Sequence, residues 1–372
     1  MKFLFIVQGE GRGHFTQAIT LEEMLMKEGH EVVEVLVGKS SNRTLPGFFN
    51  RSIHAPVKRF ISPNFLPTAQ NKRAKVGRSV AYNLLRLPVY LKSILYIKER
   101  IEVTRADIVV NFYELLTGLT YALFRPGVPY ACIGHQYLFL HSDFKFPEKK
   151  KAGITMLRLF TKMTSFRASK RLALSFHSMP QDEGKRITVV PPLLRGEVLS
   201  MEAEQGDYVH GYMVNSGFAD SVLDYHFQHP EVKMHFFWDK TDAPEESKIT
   251  ENLSFHQIDD LLFLKYMASC HAYASTAGFE SICEAMYLGK PVMMVPAHIE
   301  QDCNAYDAAR AGAGIVAESF ELDKLLDFAK TYQPNKEFTY WVKSSSRLIV
   351  SELEEVADEQ SMINIATLSG TF

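Results

Sequence analysis

A chain of 372 residues is longer than most single domains, and 46% hydrophobic with 12% aromatic residues supports well-packed cores and excludes a disordered or low-complexity polymer. The net charge of −2 hides an asymmetry: residues 1–200 carry 30 Lys and Arg against 15 Asp and Glu, and residues 201–372 carry 11 against 28. Either one half meets an anionic partner or the halves attract each other across a cleft.

Cys132, Cys270, Cys283 and Cys303 show no CxxC spacing and no grouping with histidine, which reads as buried or free thiols of a reducing cytosol, not a disulfide framework or a metal centre. MKFLFIV is too short for a secretory apolar core before QGEGRGH interrupts it. No stretch of about 18 apolar residues is free of charge, so no membrane span is expected.

Lys2–Val7 reads as a buried strand, Gln8–Gly13 as a glycine-rich loop, His14–Glu28 as a helix closed by Gly29, and Glu31–Val37 as the next strand. This opens a βαβ series and hence a parallel sheet. GEGRGH invites comparison with the dinucleotide-binding GxGxxG. However, His14 stands where the third glycine belongs, and the second strand closes as Val37-Gly38-Lys39 without an acidic residue. From Arg51 to Arg100, eleven basic residues face one acid, Glu99, interleaved with apolar and aromatic side chains; Lys145–Arg171 holds nine against Glu148 alone. Segments 51–100 and 145–171 suit an anionic bilayer surface or the solvated faces of ordinary helices. Pro88 is expected to kink or divide the helix of the first. No nucleic-acid module accompanies the charge, which argues against a nucleic-acid partner.

Strand Asp107–Asn111 runs into Phe112-Tyr113-Glu114, and strand Tyr130–Ile133 into Gly134-His135-Gln136. Both sets of polar residues fall at the carboxyl edge of the sheet, where open α/β folds bind ligands, and His135 and Gln136 become candidates for acceptor binding. Leu172–Ser175 and Ile187–Pro192 end a first domain of residues 1–192, and residues 193–206 read as a polar linker. A second series then runs through residues 207–345. Strand Tyr208–Val214 leads to Asn215-Ser216-Gly217, Lys233–Trp238 to Asp239, and Leu253–His256 to Gln257–Asp260, before helix Leu261–Ser269 and strand His271–Ser275. A final helical stretch, Phe338 to about Val356, can pack across the linker, with residues 346–372 set apart as a C-terminal helix and tail.

The stretch after Ser275 carries the most information. A glycine loop at Gly278, a helix Phe279–Leu288, the terminator Gly289 and strand Val292–Val295 follow in turn. A loop that opens a helix aims free amides and the positive dipole end at an anion such as pyrophosphate. Glu280 and Glu284, four apart, share one helical face.

The whole stretch Ser275–Asn304, STAGFESICEAMYLGKPVMMVPAHIEQDCN, resembles the donor-binding motif of nucleotide-sugar glycosyltransferases of the GT-B fold. That group includes the plant and antibiotic UDP-glycosyltransferases and the enzyme that adds N-acetylglucosamine to lipid I. The resemblance implies an α/β architecture of two doubly wound, Rossmann-like domains facing across a cleft. It implies that Gly278 and the amides of Phe279 through Ser281 hold the diphosphate and Glu284 the ribose hydroxyls. Glu300 and Gln301 would then hold sugar hydroxyls, with Asn304 following on the next helix. Thr276 stands where the motif often has a phosphate-binding histidine, and its hydroxyl can donate one neutral hydrogen bond. Gly13-His14 matches the Gly-His that ends the first loop of the family. The aspartate that often orients this histidine is replaced by Phe112, and Glu114 is taken as its substitute.

Inverting sugar transfer needs a base near the acceptor hydroxyl and hydrogen-bonding groups at the departing diphosphate. His14 is the candidate base, oriented by Glu114, with Arg12 assisting acceptor or phosphate. Ser216 and Gly217 would add diphosphate contacts, and His256 and Ile258 would border the nucleotide base. No Asp-x-Asp occurs, so the expected reaction uses no metal and no cofactor beyond the nucleotide sugar, UDP-linked by resemblance. The expectation is a hexosyl- or N-acetylhexosaminyltransferase acting on a lipid-linked or cell-envelope acceptor, cytoplasmic and peripheral on the inner membrane face. Its rivals are a nucleotide-sugar epimerase of the same frame and a non-catalytic membrane- or polyanion-binding protein.

Overall fold

The structure, a computed structural model, describes residues 1–39, 45–63, 83, 85–148, 150–240 and 243–368, with side chains as far as residue 359. Residues 64–82 and 84 of the first basic segment, and 149 of the second, lie outside the described residues.

The first half alternates β1 (Lys2–Gln8), α1 (Arg12–Lys27), β2 (Glu31–Lys39), α2 (Gly47–Ser52), β3 (Val57–Ile61), α3 (Leu87–Thr104), β4 (Ile108–Phe112) and α4 (Leu115–Phe124). It continues with β5 (Tyr130–Ile133), a 3-10 turn His135–Leu140, α5 (Lys151–Thr164), β6 (Lys170–Leu174) and β7 (Ile187–Val190). The strands form one parallel sheet ordered β3-β2-β1-β4-β5-β6-β7. A sheet covered on both faces needs strands apolar on both sides, and Phe3 through Val7 of β1 are all fully buried.

After α6 (Gly196–Ser200) the second half runs β8 (Tyr208–Met213), α7 (Ala219–Gln228), β9 (Lys233–Trp238), β10 (Glu246–Lys248), β11 (Leu253–Gln257), α8 (Asp260–Ser269), β12 (Ala272–Ser275) and α9 (Phe279–Tyr287). It ends with β13 (Val292–Met294), α10 (Ile299–Arg310), β14 (Gly314–Val316), α11 (Leu322–Ala329), α12 (Lys336–Lys343) and α13 (Ser345–Leu368). Its sheet is ordered β10-β11-β9-β8-β12-β13-β14, parallel except for the edge strand β10. Strand order reverses between β1 and β4 in one domain and between β8 and β12 in the other, opening a crevice at the carboxyl ends of each pair.

Three local expectations are corrected. The first glycine loop is shorter than read, because Arg12, Gly13 and His14 already form the first turn of α1. Pro88 does not divide its helix: it lies in the first turn of α3, where its missing N–H forfeits no helical bond. The segment 193–206 is not simply polar, since Leu193, Leu194 and Val198 are buried in an apolar core continuous with both domains.

The chain finally returns to the first domain. Trp341 Nε1 donates to the Ser175 carbonyl at 3.1 Å, and α13 sets Glu352 against Lys170 at 2.7 Å and Thr188 at 3.1 Å. Ion pairs also bind the basic half to the acidic half: Arg12 to Asp260 at 2.9 Å, Lys150 to Asp302 at 2.6 Å, Arg195 to Glu284 at 2.7 Å. Part of the charge asymmetry is therefore satisfied within the molecule.

Candidate active site

The two crevices confront each other. From the first domain come the opening turn of α1 and the turn after β4; from the second come the turn after β12 and the starts of α9 and α10. The turns after β4 and β12 each hold a non-glycine residue in the left-handed region, Tyr113 and Ala277, both with φ of 61°. Such a backbone costs about 1–3 kcal/mol and persists only where its surroundings impose it.

His14 is buried in the first turn of α1, its ring stacked on Tyr113 at 5.8 Å and 27°. One turn on, Gln17 lies between His14 and the second domain. Its Nε2 donates to Glu280 of α9, which leaves its Oε1, 3.4 Å from His14 Nδ1, as the acceptor for an Nδ1–H. That tautomer keeps the Nε2 lone pair free. Burial lowers the pKa of His14, while Glu300 and the Gln17 bond act in the opposite direction. The ring is therefore neutral at pH 7 and able to accept a proton.

Glu114, the expected orienting group, does not reach His14. The left-handed turn at Tyr113 directs that ring to the histidine and sends the Glu114 carboxylate to Ser62 Oγ at 2.6 Å and the Leu116 amide at 3.0 Å. Its Oε2 lies over Gly38, where a Cβ would come within 2.2 Å. Burial pushes its pKa up to about 7 against those hydrogen bonds. Gln17 and Glu280 take the place assigned to it. Gln17 carries a helical signal, being one turn from His14; Glu280 in this contact carries none.

On the second domain, Gly278 caps α9 with its amide end open to the seam. Thr276 Oγ1 accepts the Val214 amide at 3.1 Å and so ties this loop to the turn holding Ser216 and Gly217, where Asn215 Oδ1 accepts the Gly217 amide at 3.0 Å. Ser281 Oγ donates to the Gly278 carbonyl at 3.2 Å. Glu284 is buried and engaged by Arg195 at 2.7 Å, so it faces a guanidinium instead of open space. Arg195 also lies 3.8 Å from Asp260, the partner of Arg12. A cavity of about 180 Å³ opens beside Arg195, walled by Thr16, Thr20, Arg51 and Asp260 among others.

Glu300 accepts from Gln136 Nε2 across the seam at 3.0 Å. Gln301 turns inward to accept the Ala297 amide at 2.8 Å, and Asn304 Nδ2 reaches the Ala277 carbonyl at 3.4 Å. His135 offers no acceptor surface: Phe279 covers its ring at 4.0 Å, Nδ1 donates to the Leu174 carbonyl at 2.9 Å, and burial lowers its pKa to about 4. His256 is also drawn into structure, 3.2 Å from His235 and stacked on Phe237 at 4.9 Å, while Ile258 packs against the core. Among the described residues no group of three or more His, Cys, Asp or Glu is placed to hold a metal ion.

A family model described as Glycosyl transferase family 1 matches residues 1–332. No curated protein matches the sequence. Among solved structures, the calicheamicin glycosyltransferase CalG4 superposes with a TM-score of 0.59 at 14% identity, over 95% of this chain and 98% of that one. UGT2 of Phytolacca americana, complexed with UDP-2fluoro-glucose and pterostilbene, gives 0.57 at 12% identity over 100% and 99%. MurG of Acinetobacter baumannii gives 0.50 at 15% identity over 95% and 100%. At these identities the likeness is one of fold, and with two Rossmann-like sheets meeting at their switch points that fold is GT-B. The chain belongs to glycosyl transferase family 1, as a GT-B glycosyltransferase.

Proposed function

We propose that the protein moves a hexosyl or N-acetylhexosaminyl group from a UDP-sugar to an acceptor hydroxyl, with inversion and without a metal ion. The observation that carries this reading is the position of His14, whose free Nε2 belongs to the helix turn that meets α9 and α10 of the opposite domain. The acceptor hydroxyl gives its proton to His14 Nε2 as its oxygen bonds to the anomeric carbon, and the bond from that carbon to the diphosphate breaks. The leaving charge falls to the amides at the start of α9, Gly278 through Ser281, and to the dipole of that helix. Glu284 takes the ribose hydroxyls by exchanging its Arg195 bond for them, with the nucleoside toward the cavity beside Arg195. The ligand bound to the Phytolacca enzyme supports a UDP-sugar donor here.

For the acceptor, a lipid-linked or cell-envelope glycan is favoured by the outer face of α3. Leu87, Leu91 and Leu95, four residues apart, each stand about half exposed near Lys92 and Lys98. Other basic residues of these segments are paired within the molecule, Lys58 and Arg100 with Glu34, and Lys98 itself bonds Glu102 at 2.7 Å. No helix of the described residues is long and apolar enough to cross a membrane.

The test is transfer from a panel of UDP-sugars in EDTA, with and without acceptor. His14→Ala should lose about 10²- to 10⁴-fold in kcat. Activity unaffected by that change, or conversion of the nucleotide sugar with no acceptor present, would reject the proposal.

A further inference from the structure

Glu280 is a carboxyl at the seam for which the proposed transfer has no direct use and which no cation pairs among the described residues. It occupies the second position of α9, inside the turn whose amides the donor diphosphate would take. Its side chain crosses to the first domain, where Gln17 Nε2 donates to its Oε1. Its Oε2 lies so close to Gly13 that a Cβ there would come within 2.3 Å. A side chain at position 13 would have to displace the carboxyl from that point of α1. Two helix amino ends thus converge on one carboxyl.

The groups around it set its charge. Glu300 acts on it from α10 and Glu284 from its own helix, and the Arg195 guanidinium is engaged by Glu284. The residue keeps some solvent contact, yet the atoms crowded around its carboxyl push the pKa up to about 7. Desolvation is the largest cause and outweighs the hydrogen bonds from its own amide and from Gln17, which favour the ionised form; Glu300 and Glu284 act in the same direction as burial. An ionised carboxyl here would repel a diphosphate arriving at the same turn. A neutral one keeps Oε1 for Gln17 and turns its O–H toward a phosphate oxygen.

We propose that Glu280 is a donor-binding residue that works in its protonated form, giving one O–H hydrogen bond to the donor diphosphate, so that binding above neutral pH takes up a proton from solvent. This rests on the diphosphate position given above, and the test separates the two. UDP is titrated calorimetrically into the full chain between pH 6.5 and 8.5, using the wild type, Glu280→Gln and Glu280→Leu. Glutamine carries a neutral donor in the same place, and the ionisation of UDP cancels in the ratio of the proteins at one pH.

The wild-type Kd relative to Glu280→Gln should stay near parity at pH 6.5 and climb by about tenfold per unit above about pH 7.5. Glu280→Leu, lacking a donor, should bind more weakly than Glu280→Gln throughout. In a measurement that needs no variant, wild-type titrations at pH 8 in two buffers of different ionisation enthalpy should show uptake of about one proton per UDP. Tight binding with a flat ratio and no proton uptake overturns the role of Glu280 alone. Absence of UDP binding in all three proteins overturns the diphosphate position as well.

Discussion

Phe279 closes the seam from the second domain, and replacing it by alanine has an effect whose size must depend on pH. Its ring is 4% exposed, stacked on His135 at 4.0 Å and 20°, with Phe176 at 4.7 Å. Truncating a buried phenylalanine costs about 3–5 kcal/mol through lost transfer energy and the cavity left behind. The same ring keeps water from His135, whose pKa burial lowers from 6.5 to about 4. Between those values the unfolded chain binds a proton that the folded chain refuses, so wild-type stability falls as the pH falls. From pH 7 to pH 5 that term amounts to about 2 kcal/mol. In Phe279→Ala, water reaches the imidazole, its pKa returns toward 6.5, and the term largely disappears. The penalty of about 3–5 kcal/mol at pH 7 should therefore shrink to about 1–3 kcal/mol at pH 5. Urea unfolding of both proteins at both pH values measures it, and the remaining histidines titrate in each and drop out of the difference. A penalty equal at the two pH values within about 0.5 kcal/mol would refute the account of His135.

Glu114→Gln should work in the opposite sense. The folded pKa of about 7 lies above the unfolded value of 4.5, so wild-type stability is full at low pH and is lost as the pH rises through 7. The variant keeps the acceptor for Ser62 and should gain about 2–3 kcal/mol over wild type at pH 8 while matching it near pH 4.5, as read by urea unfolding; a constant difference would count against it. Arg195→Met leaves Glu284 buried without its cation and should cost about 3–5 kcal/mol at pH 7.5. Adding Glu284→Gln should recover most of that loss, and a double variant no more stable than the single one would show that the pair is not coupled.

The sequence exposes what periodicity and chain order control. The grammar of Ser275–Val295 is local, and both switch points follow from counting βαβ units, so Gly278, His14 and the turn after β12 are found where a reader expects them. Contacts between residues far apart in the chain leave no such trace. Gln17 and Glu280 are separated by 263 positions, and neither helix pattern hints that a glycine at position 13 exists to admit a carboxyl. The left-handed backbone of Tyr113 is equally silent, because a tyrosine there carries no mark of its φ; yet it decides that Glu114 turns away from His14. Edge strands β10 and β14, three residues each, are too short to show a period. The charge asymmetry was legible as a total, but its division between partners outside and ion pairs inside needed coordinates.

The return of the chain to its starting domain has a mechanical consequence. Two covalent crossings, one through residues 193–206 and one through α12, connect the halves, and Lys170 with Glu352 and Glu355 rivets the second of them in place. Any movement of one half against the other must therefore bend both crossings at once, which confines it to the directions they share.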